Sequence, residues 1–89
     1  MKTQLAGFLE SHGPSISVDG RIFQVDEVVG EDDMALATLS AGRAKFTGVL
    51  YVGPSIVRNK PGAEVWRIIK GRKTVGMFVL WQNTLLPYE

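Results

Sequence analysis

The alternation of apolar and polar residues predicts a β-hairpin near the start of this chain. The stretch SISVDGRIFQV alternates on both sides of Asp19-Gly20, and Asp-Gly is a preferred central pair of two-residue hairpin loops. Such a loop sets Ile16 opposite Phe23. One face of the hairpin then collects four apolar residues that we predict to lie in the core: Ile16, Val18, Phe23 and Val25.

The stretch VWRIIKGRKTVGMFVLW, at 65–81, predicts a second hairpin. Gly71 at the first central position of KGRK favours a type II′ turn, which sets Lys70 opposite Lys73. Continued along the strands without interruption, this register yields two further pairs, Ile68 with Val75 and Trp66 with Met77.

Both faces of this second hairpin are largely apolar, which is typical of strands covered on each side by another layer or by a partner chain. The predicted register puts both tryptophans on one face, and Trp and Met are residue types that interface cores favour. Leu85 and Leu86 in the tail are an alternative cover for an exposed face. The face that carries the tryptophans is the candidate interface: Trp66, Ile68, Val75, Met77, Val79 and Trp81.

Two further elements are indicated by local signals. The sequence TQLAGFLESHGP places Leu5, Phe8 and Leu9 at helical spacing, with Thr3 as a candidate cap and Gly13-Pro14 as a stop, so we expect a short helix. The sequence KFTGVLYVG is rich in β-branched and aromatic residues and predicts a strand. The following stretch, 54–64, is predicted to be a loop or a short edge strand because two prolines interrupt it.

The segment EDDMALATLSAG, at 31–42, fits two structures. Acidic residues before an Ala- and Leu-rich run that ends at Gly42 are typical of a capped helix. The alternation of Met34, Leu36 and Thr38 equally fits a strand, which its strand neighbours favour slightly. We therefore predict one mainly β domain over 1–89, a small bent antiparallel sheet or open barrel of five to six strands with one short N-terminal helix, with an α+β fold containing a second helix at 32–41 as the alternative.

Composition places the chain in the globular class. Its 89 residues are 45% hydrophobic and 21% charged, and there is no cysteine, so packing alone has to stabilise the fold. The beginning of the sequence lacks the apolar run of a signal peptide, and no stretch has the length of a membrane span. We expect a soluble, cytoplasmic protein that does not bind membranes.

Charge is distributed unevenly along the chain. Residues 1–40 carry two cations against seven anions, a balance of −5, whereas residues 41–89 carry eight cations against two anions, a balance of +6. The two halves either fold against each other and cancel, or present a basic face to an anionic partner.

Residues that could support catalysis are scarce. His12 is the only histidine, and the absence of cysteine disfavours zinc. The GRKT sequence at 71–74 resembles the end of a phosphate-binding loop, but Arg72 stands where that motif requires glycine. We expect a binding module that is not an enzyme and needs no metal or cofactor.

Two classes of partner fit these observations. The first is another protein, including a second copy of this chain as a homodimer, bound through the apolar face described above. The alternative is single-stranded or duplex nucleic acid, bound by the basic hairpin tip at 70–73 with nearby aromatic side chains for stacking. The candidate anion-binding residues are Arg67, Lys70, Arg72, Lys73, Arg43, Lys45 and Tyr51.

Overall fold

The fold is a seven-stranded antiparallel sheet with one short helix. A computed structural model describes residues 3–30, 34–51 and 59–88. Its elements in chain order are α1 (Gln4–His12), β1 (Ser15–Val18), β2 (Arg21–Val29), β3 (Leu36–Ala41), β4 (Ala44–Leu50), β5 (Glu64–Lys70), β6 (Lys73–Trp81) and β7 (Thr84–Pro87).

The predicted mainly β class is confirmed. The ambiguous segment is a strand over 36–41, because its alternating residues Ala37 and Leu39 fill the core, so the alternative helix does not form there. Positions 31–33, where that helix would begin, lie outside the described residues, as do positions 54–58 of the loop or edge strand expected at 54–64. The tail, which the sequence analysis offers as a cover for one face of the second hairpin, forms a seventh strand over 84–87.

The strands follow one another in the sheet in the same order as in the chain, and every neighbouring pair is antiparallel. The sheet curls until it is nearly closed into a barrel, and β1 contacts β6 across the seam. There the Val18 methyl Cγ1 lies 3.5 Å from the position that a Cβ atom would take on Gly76. The seam is thus closed by side-chain packing against a glycine.

This simple topology gives the barrel two different ends. Because consecutive strands run in opposite directions, the turns at 19–20, 42–43 and 71–72 all fall at one end, which we call the turn end. The other end, which we call the helix end, holds the start of β5 and the N-terminus of α1. The two ends therefore gather residues from different parts of the sequence.

The first predicted hairpin forms as expected. Asp19 and Gly20 have φ angles of 53° and 78°, as a type I′ turn requires, and Ile16 pairs with Phe23. The four residues predicted for its inner face are all buried: Ile16, Val18, Phe23 and Val25. The register of this hairpin was therefore predictable from its turn residues.

The register predicted for the second hairpin is confirmed at the tip and is wrong beyond the tip. Lys70 pairs with Lys73, but a β-bulge leaves Val75 unpaired, so Ile68 pairs with Gly76 and Trp66 with Phe78. One extra residue on one strand moves each later side chain of that strand to the opposite face. The bulge puts Gly76 at the inner position that faces Val18, where a valine would hold β1 and β6 apart.

The barrel interior is filled by apolar side chains from every strand. Trp66 and Phe78 stack with ring centroids 6.5 Å apart, and Phe23 meets Phe46 edge to face at 5.2 Å. Leu5 and Phe8 of α1 complete the core from the helix end. Burial of these large side chains is the main stabilising contribution, at about 25 cal/mol per Å² of apolar surface.

Candidate binding surfaces

The outer face of the sheet carries a row of side chains that runs across five strands. Successive pairings join Val29 to Leu36, Leu36 to Val49, and Val49 to Arg67, and the row ends at Met77 on β6. Val29 and Leu36 are 48% and 46% exposed, although both are large apolar side chains. The β2 and β3 part of this row therefore offers apolar surface to solvent.

Two more exposed side chains extend this row toward the helix end. Met34, two residues before Leu36, is 79% exposed, and Tyr51, two residues after Val49, is 40% exposed. The Tyr51 backbone N–H donates to the Val65 carbonyl at 2.8 Å, which holds Tyr51 beside β5. We define the apolar patch as Val29, Met34, Leu36, Val49 and Tyr51.

A single cation interrupts the row. Arg67 lies between Val49 and Met77 and is half-buried, and its Nε atom is buried without a hydrogen-bond partner. An unpartnered buried donor costs about 1–3 kcal/mol. Arg67 thus places a positive charge within the row, next to the apolar patch.

The candidate interface of the second hairpin does not form one surface. Because of the bulge, Trp66 and Ile68 do not share a face with the predicted interface residues of β6. Both are fully buried in the core, so they are not available to a partner of the folded chain. Val79 is also buried, although it points outward. Of the others, Met77 and Trp81 are half-buried on the outer face, and Val75 is 37% exposed at the bulge.

Trp81 is held by the chain itself. Its indole N–H donates to the Pro61 carbonyl at 3.1 Å, and the Lys60 ammonium lies 5.9 Å from its ring centroid. A tryptophan with both its polar group and its face engaged has little surface left for a partner. The apolar patch on β2, β3 and β4 is the better exposed surface, and the sequence analysis did not identify it.

At the turn end, cations from distant parts of the sequence come together. Arg43 and Arg72 occupy two of the three turns there, and Asp19 is the only acidic residue within the turns. Arg21, which the sequence analysis had not included, begins β2 beside them. We define the cationic rim by its six exposed members: Arg21, Arg43, Lys45, Lys70, Arg72 and Lys73.

Two rim cations cover the aromatic part of the core. The guanidinium carbon of Arg21 and the ammonium of Lys70 each lie 5.0 Å from the ring centroid of Phe46, and Arg21 is also 5.2 Å from Phe23. Because both charges contact the same Phe46 ring, they lie within twice that 5.0 Å distance of each other. Lys45 of the rim makes a long ion pair, with its Nζ 3.9 Å from an Asp26 oxygen.

The predicted anion-binding set is divided by the fold. Arg43, Lys45, Lys70, Arg72 and Lys73 lie together in the rim, whereas Arg67 lies in the outer row and Tyr51 follows β4 at the opposite end of that strand. Phe23 and Phe46, the aromatic rings nearest to the rim, are buried beneath Arg21 and Lys70. Tyr88, the other exposed aromatic residue of the described chain, follows Pro87, which pairs with Phe78, five residues along β6 from Lys73. Neither exposed tyrosine therefore belongs to the strand ends and turns that form the rim.

Other chemistry is limited. His12 stacks on Phe8 at a centroid distance of 4.2 Å, and its Nδ1 atom lies 3.2 Å from the Phe8 carbonyl oxygen at the end of α1. Within 3–30, 34–51 and 59–88, no group of three His, Asp or Glu side chains is arranged to hold a metal ion. No helix in this described part is long and apolar enough to cross a membrane.

Comparison with protein-family models, curated proteins and solved structures finds no match for this chain. Function therefore has to be argued from its own residues and their arrangement.

Proposed function

We propose that this chain is a binding module that self-associates as a homodimer through the apolar patch. The observation that supports this most strongly is the cross-strand row of exposed apolar side chains on β2, β3 and β4. Contiguous apolar surface is costly to leave in water, and on soluble proteins it usually marks an interaction site. We favour a second copy of the chain as the partner, because the chain itself carries charges of opposite sign that can pair across such an interface.

The composition of the patch and its border suits an interface. Tyr, Met and Arg are enriched in protein interfaces, and here Tyr51, Met34 and Arg67 surround the aliphatic centre formed by Leu36 and Val49. Half-exposed aliphatic side chains in the middle, with long side chains around them, can bury more surface when a second sheet packs against them. Because Val29 and Leu36 are already about half buried, each would contribute roughly half of the 1.5–3 kcal/mol that full burial of an exposed side chain gives.

Charge complementarity favours one arrangement of the two copies. Glu27 is exposed on β2, paired with Thr38 on the same sheet face as the patch. A two-fold axis parallel to the strands, between β3 and β4, places β2 of one copy over β5 of the other. Glu27 of each copy then lies about 7 Å along the strand from the level of the other copy's Arg67, within reach of that long side chain.

The arrangement also brings opposite charges on two strands together. Asp26 and Glu27 are exposed on β2, and Arg67 lies on β5. A symmetric dimer about the proposed axis brings β2 of each copy against β5 of the other. An isologous interface of this kind forms two identical ion pairs.

Light scattering over a dilution series tests the proposal. We expect the wild-type mass to fall from dimer to monomer on dilution, and Leu36→Lys to be monomeric at concentrations where the wild type is dimeric. Ile22→Lys is the matched control, because Ile22 is 67% exposed on the outer face of β2 but lies near the turn end, outside the patch.

Charge reversal tests the orientation of the two copies. Glu27→Arg and Arg67→Glu should each weaken the dimer, and the double variant should regain much of the lost affinity. A wild type that is monomeric at every concentration would refute self-association. Equal effects of Leu36→Lys and Ile22→Lys would show that the patch is not the interface.

A further inference from the structure

We propose that the cationic rim at the turn end binds the phosphate backbone of duplex nucleic acid. This inference does not rest on the dimer, because the rim lies at the end of the barrel and the patch lies on its side. Three hairpin turns that are far apart in sequence meet there, and each brings cations with it. Six exposed Lys and Arg side chains result, with Asp19 as the only acidic side chain in the turns.

The rim concentrates positive charge that the described chain does little to neutralise. Lys70 and Lys73 are directly paired across the hairpin, where like charges repel. Arg21 and Lys70 are brought together over the Phe46 ring from different hairpins. A surface that holds like charges close to one another attracts a ligand with closely spaced negative charges, and this attraction is strongest at low salt.

The rim is a compact cluster around the end of the barrel. Its residues occur on β2, on β4 and on β5 and β6, an arc of four strand spacings or about 19 Å when measured around the curved sheet. A nucleic acid duplex presents one negative charge per about 1.7 Å of its axis, so several phosphates can be contacted at once. Contacts of this kind fix position and carry no sequence information.

The side chains around the rim favour a duplex over a single strand. Single-strand binding surfaces add aromatic side chains on which bases stack. Phe23 and Phe46 are buried beneath the rim cations, and Tyr51 follows the far end of β4. The proposed binding mode therefore differs from the one expected from the sequence, since it uses phosphate contacts without base stacking.

The turn tips also disfavour a membrane surface. The six turn residues are Asp, Gly or Arg, so no apolar side chain projects from a tip into lipid. Peripheral membrane binding by basic clusters is strengthened by apolar side chains that enter the interface. An anionic bilayer is accordingly the competing ligand that the test has to include.

The test is fluorescence anisotropy with a labelled 20-base-pair duplex, titrated with the full chain at several salt concentrations. If all six rim cations contact phosphates, log K should fall against log salt with a slope of about −5. Lys73→Gln and Arg72→Gln should each reduce this slope by about 1. Lys60→Gln removes a charge near Trp81 on the other side of the molecule and should leave the slope unchanged.

Two further arms use a single strand of the same length and vesicles containing phosphatidylserine. We expect the duplex to bind at least as tightly as the single strand, and the vesicles to bind more weakly than either. Absence of duplex binding at 50 mM salt would overturn the inference, as would equal losses in Lys73→Gln and Lys60→Gln. Preference for the single strand or for the vesicles would overturn it in favour of that ligand.

Discussion

At the scale of single residues, Glu64 joins the helix to the barrel. Its carboxylate accepts hydrogen bonds from the backbone N–H groups of Gln4 and Leu5, each at 3.0 Å, and from the indole N–H of Trp66 at 2.8 Å. A negative charge at a helix N-terminus is favourable because the first N–H groups have no partner within the helix. One side chain thus satisfies three donors from two elements.

Substitution of Glu64 by alanine leaves the Trp66 indole and two helix N–H groups without this acceptor. We expect the free energy of unfolding to fall by about 2–4 kcal/mol, since each buried unsatisfied donor costs about 1–3 kcal/mol and the helix amides regain water. Glu64→Gln keeps one acceptor oxygen and should lose about half as much. Urea denaturation followed by Trp fluorescence measures both changes, and a loss under 0.5 kcal/mol for Glu64→Ala would contradict this role.

Arg67 and Glu64 show what the sequence does not reveal about single residues. Both lie on β5 among apolar neighbours, and alternation alone suggests only that they face opposite sides of the sheet. The partners of Glu64 lie about 60 positions earlier in the chain, at Gln4 and Leu5. The unpartnered Nε of Arg67 likewise depends on its neighbours across the sheet, Val49 and Met77, and no local pattern encodes them.

At the scale of elements, glycines on two strands have different functions in packing. A Cβ atom on Gly48 would lie 3.0 Å from Leu39 Cδ1 and 3.1 Å from the Cβ of Ala37, closer than side chains normally approach. A Cβ atom on Gly76 would meet Val18 Cγ1 at an ordinary 3.5 Å. Gly48 is therefore required by tight packing on β3, whereas Gly76 leaves room for a methyl group.

This difference predicts opposite outcomes for the same substitution. Gly48→Ala should destabilise the fold by about 1–3 kcal/mol, because the Ala37 Cβ cannot move without its backbone. Gly76→Ala should be neutral or stabilising by up to about 1 kcal/mol, because alanine reduces the entropy of the unfolded chain. Thermal unfolding of the two variants is the measurement, and equal Tm values would contradict the packing described here.

Local signals predicted the elements better than they predicted the register. The helix and the first hairpin followed from cap and turn residues that are adjacent in sequence, such as Thr3 and Asp19-Gly20. The bulge at Val75 was not predictable in this way, because it places Gly76 against Val18, a residue far away in sequence on the other side of the seam. The predicted register lacked this bulge, so it grouped Trp66 with outward-facing residues of β6, although Trp66 lies in the core. The surface first expected to bind a partner therefore does not form.

At the scale of the whole molecule, strand order converts sequence position into spatial position. The meander puts Glu27 and Arg67 on different strands of the outer face, and it also gathers every second turn at one end. The second effect brings Arg21, from the acidic half, into the cationic rim. Neither grouping could be derived from the sequence before the order of the strands was known.

Two proposed surfaces follow from this topology, and they are spatially separate. The apolar patch lies on the outer face toward the helix end, and the cationic rim lies at the turn end. A dimer formed through the patch leaves the rim of each copy exposed. Each dimer would therefore present two sites for an anionic ligand. Linked sites raise the apparent affinity for a ligand that can reach both.

The most direct test of self-association through the apolar patch is an amide NMR spectrum recorded over a dilution series. We expect concentration-dependent shifts at the backbone amides of Val29, Leu36, Val49 and Arg67, which pair in one row across the sheet. The amides of the turns at 19–20, 42–43 and 71–72 should not move. Signals that stay constant on dilution, or that move only at the turn end, would contradict the proposed interface.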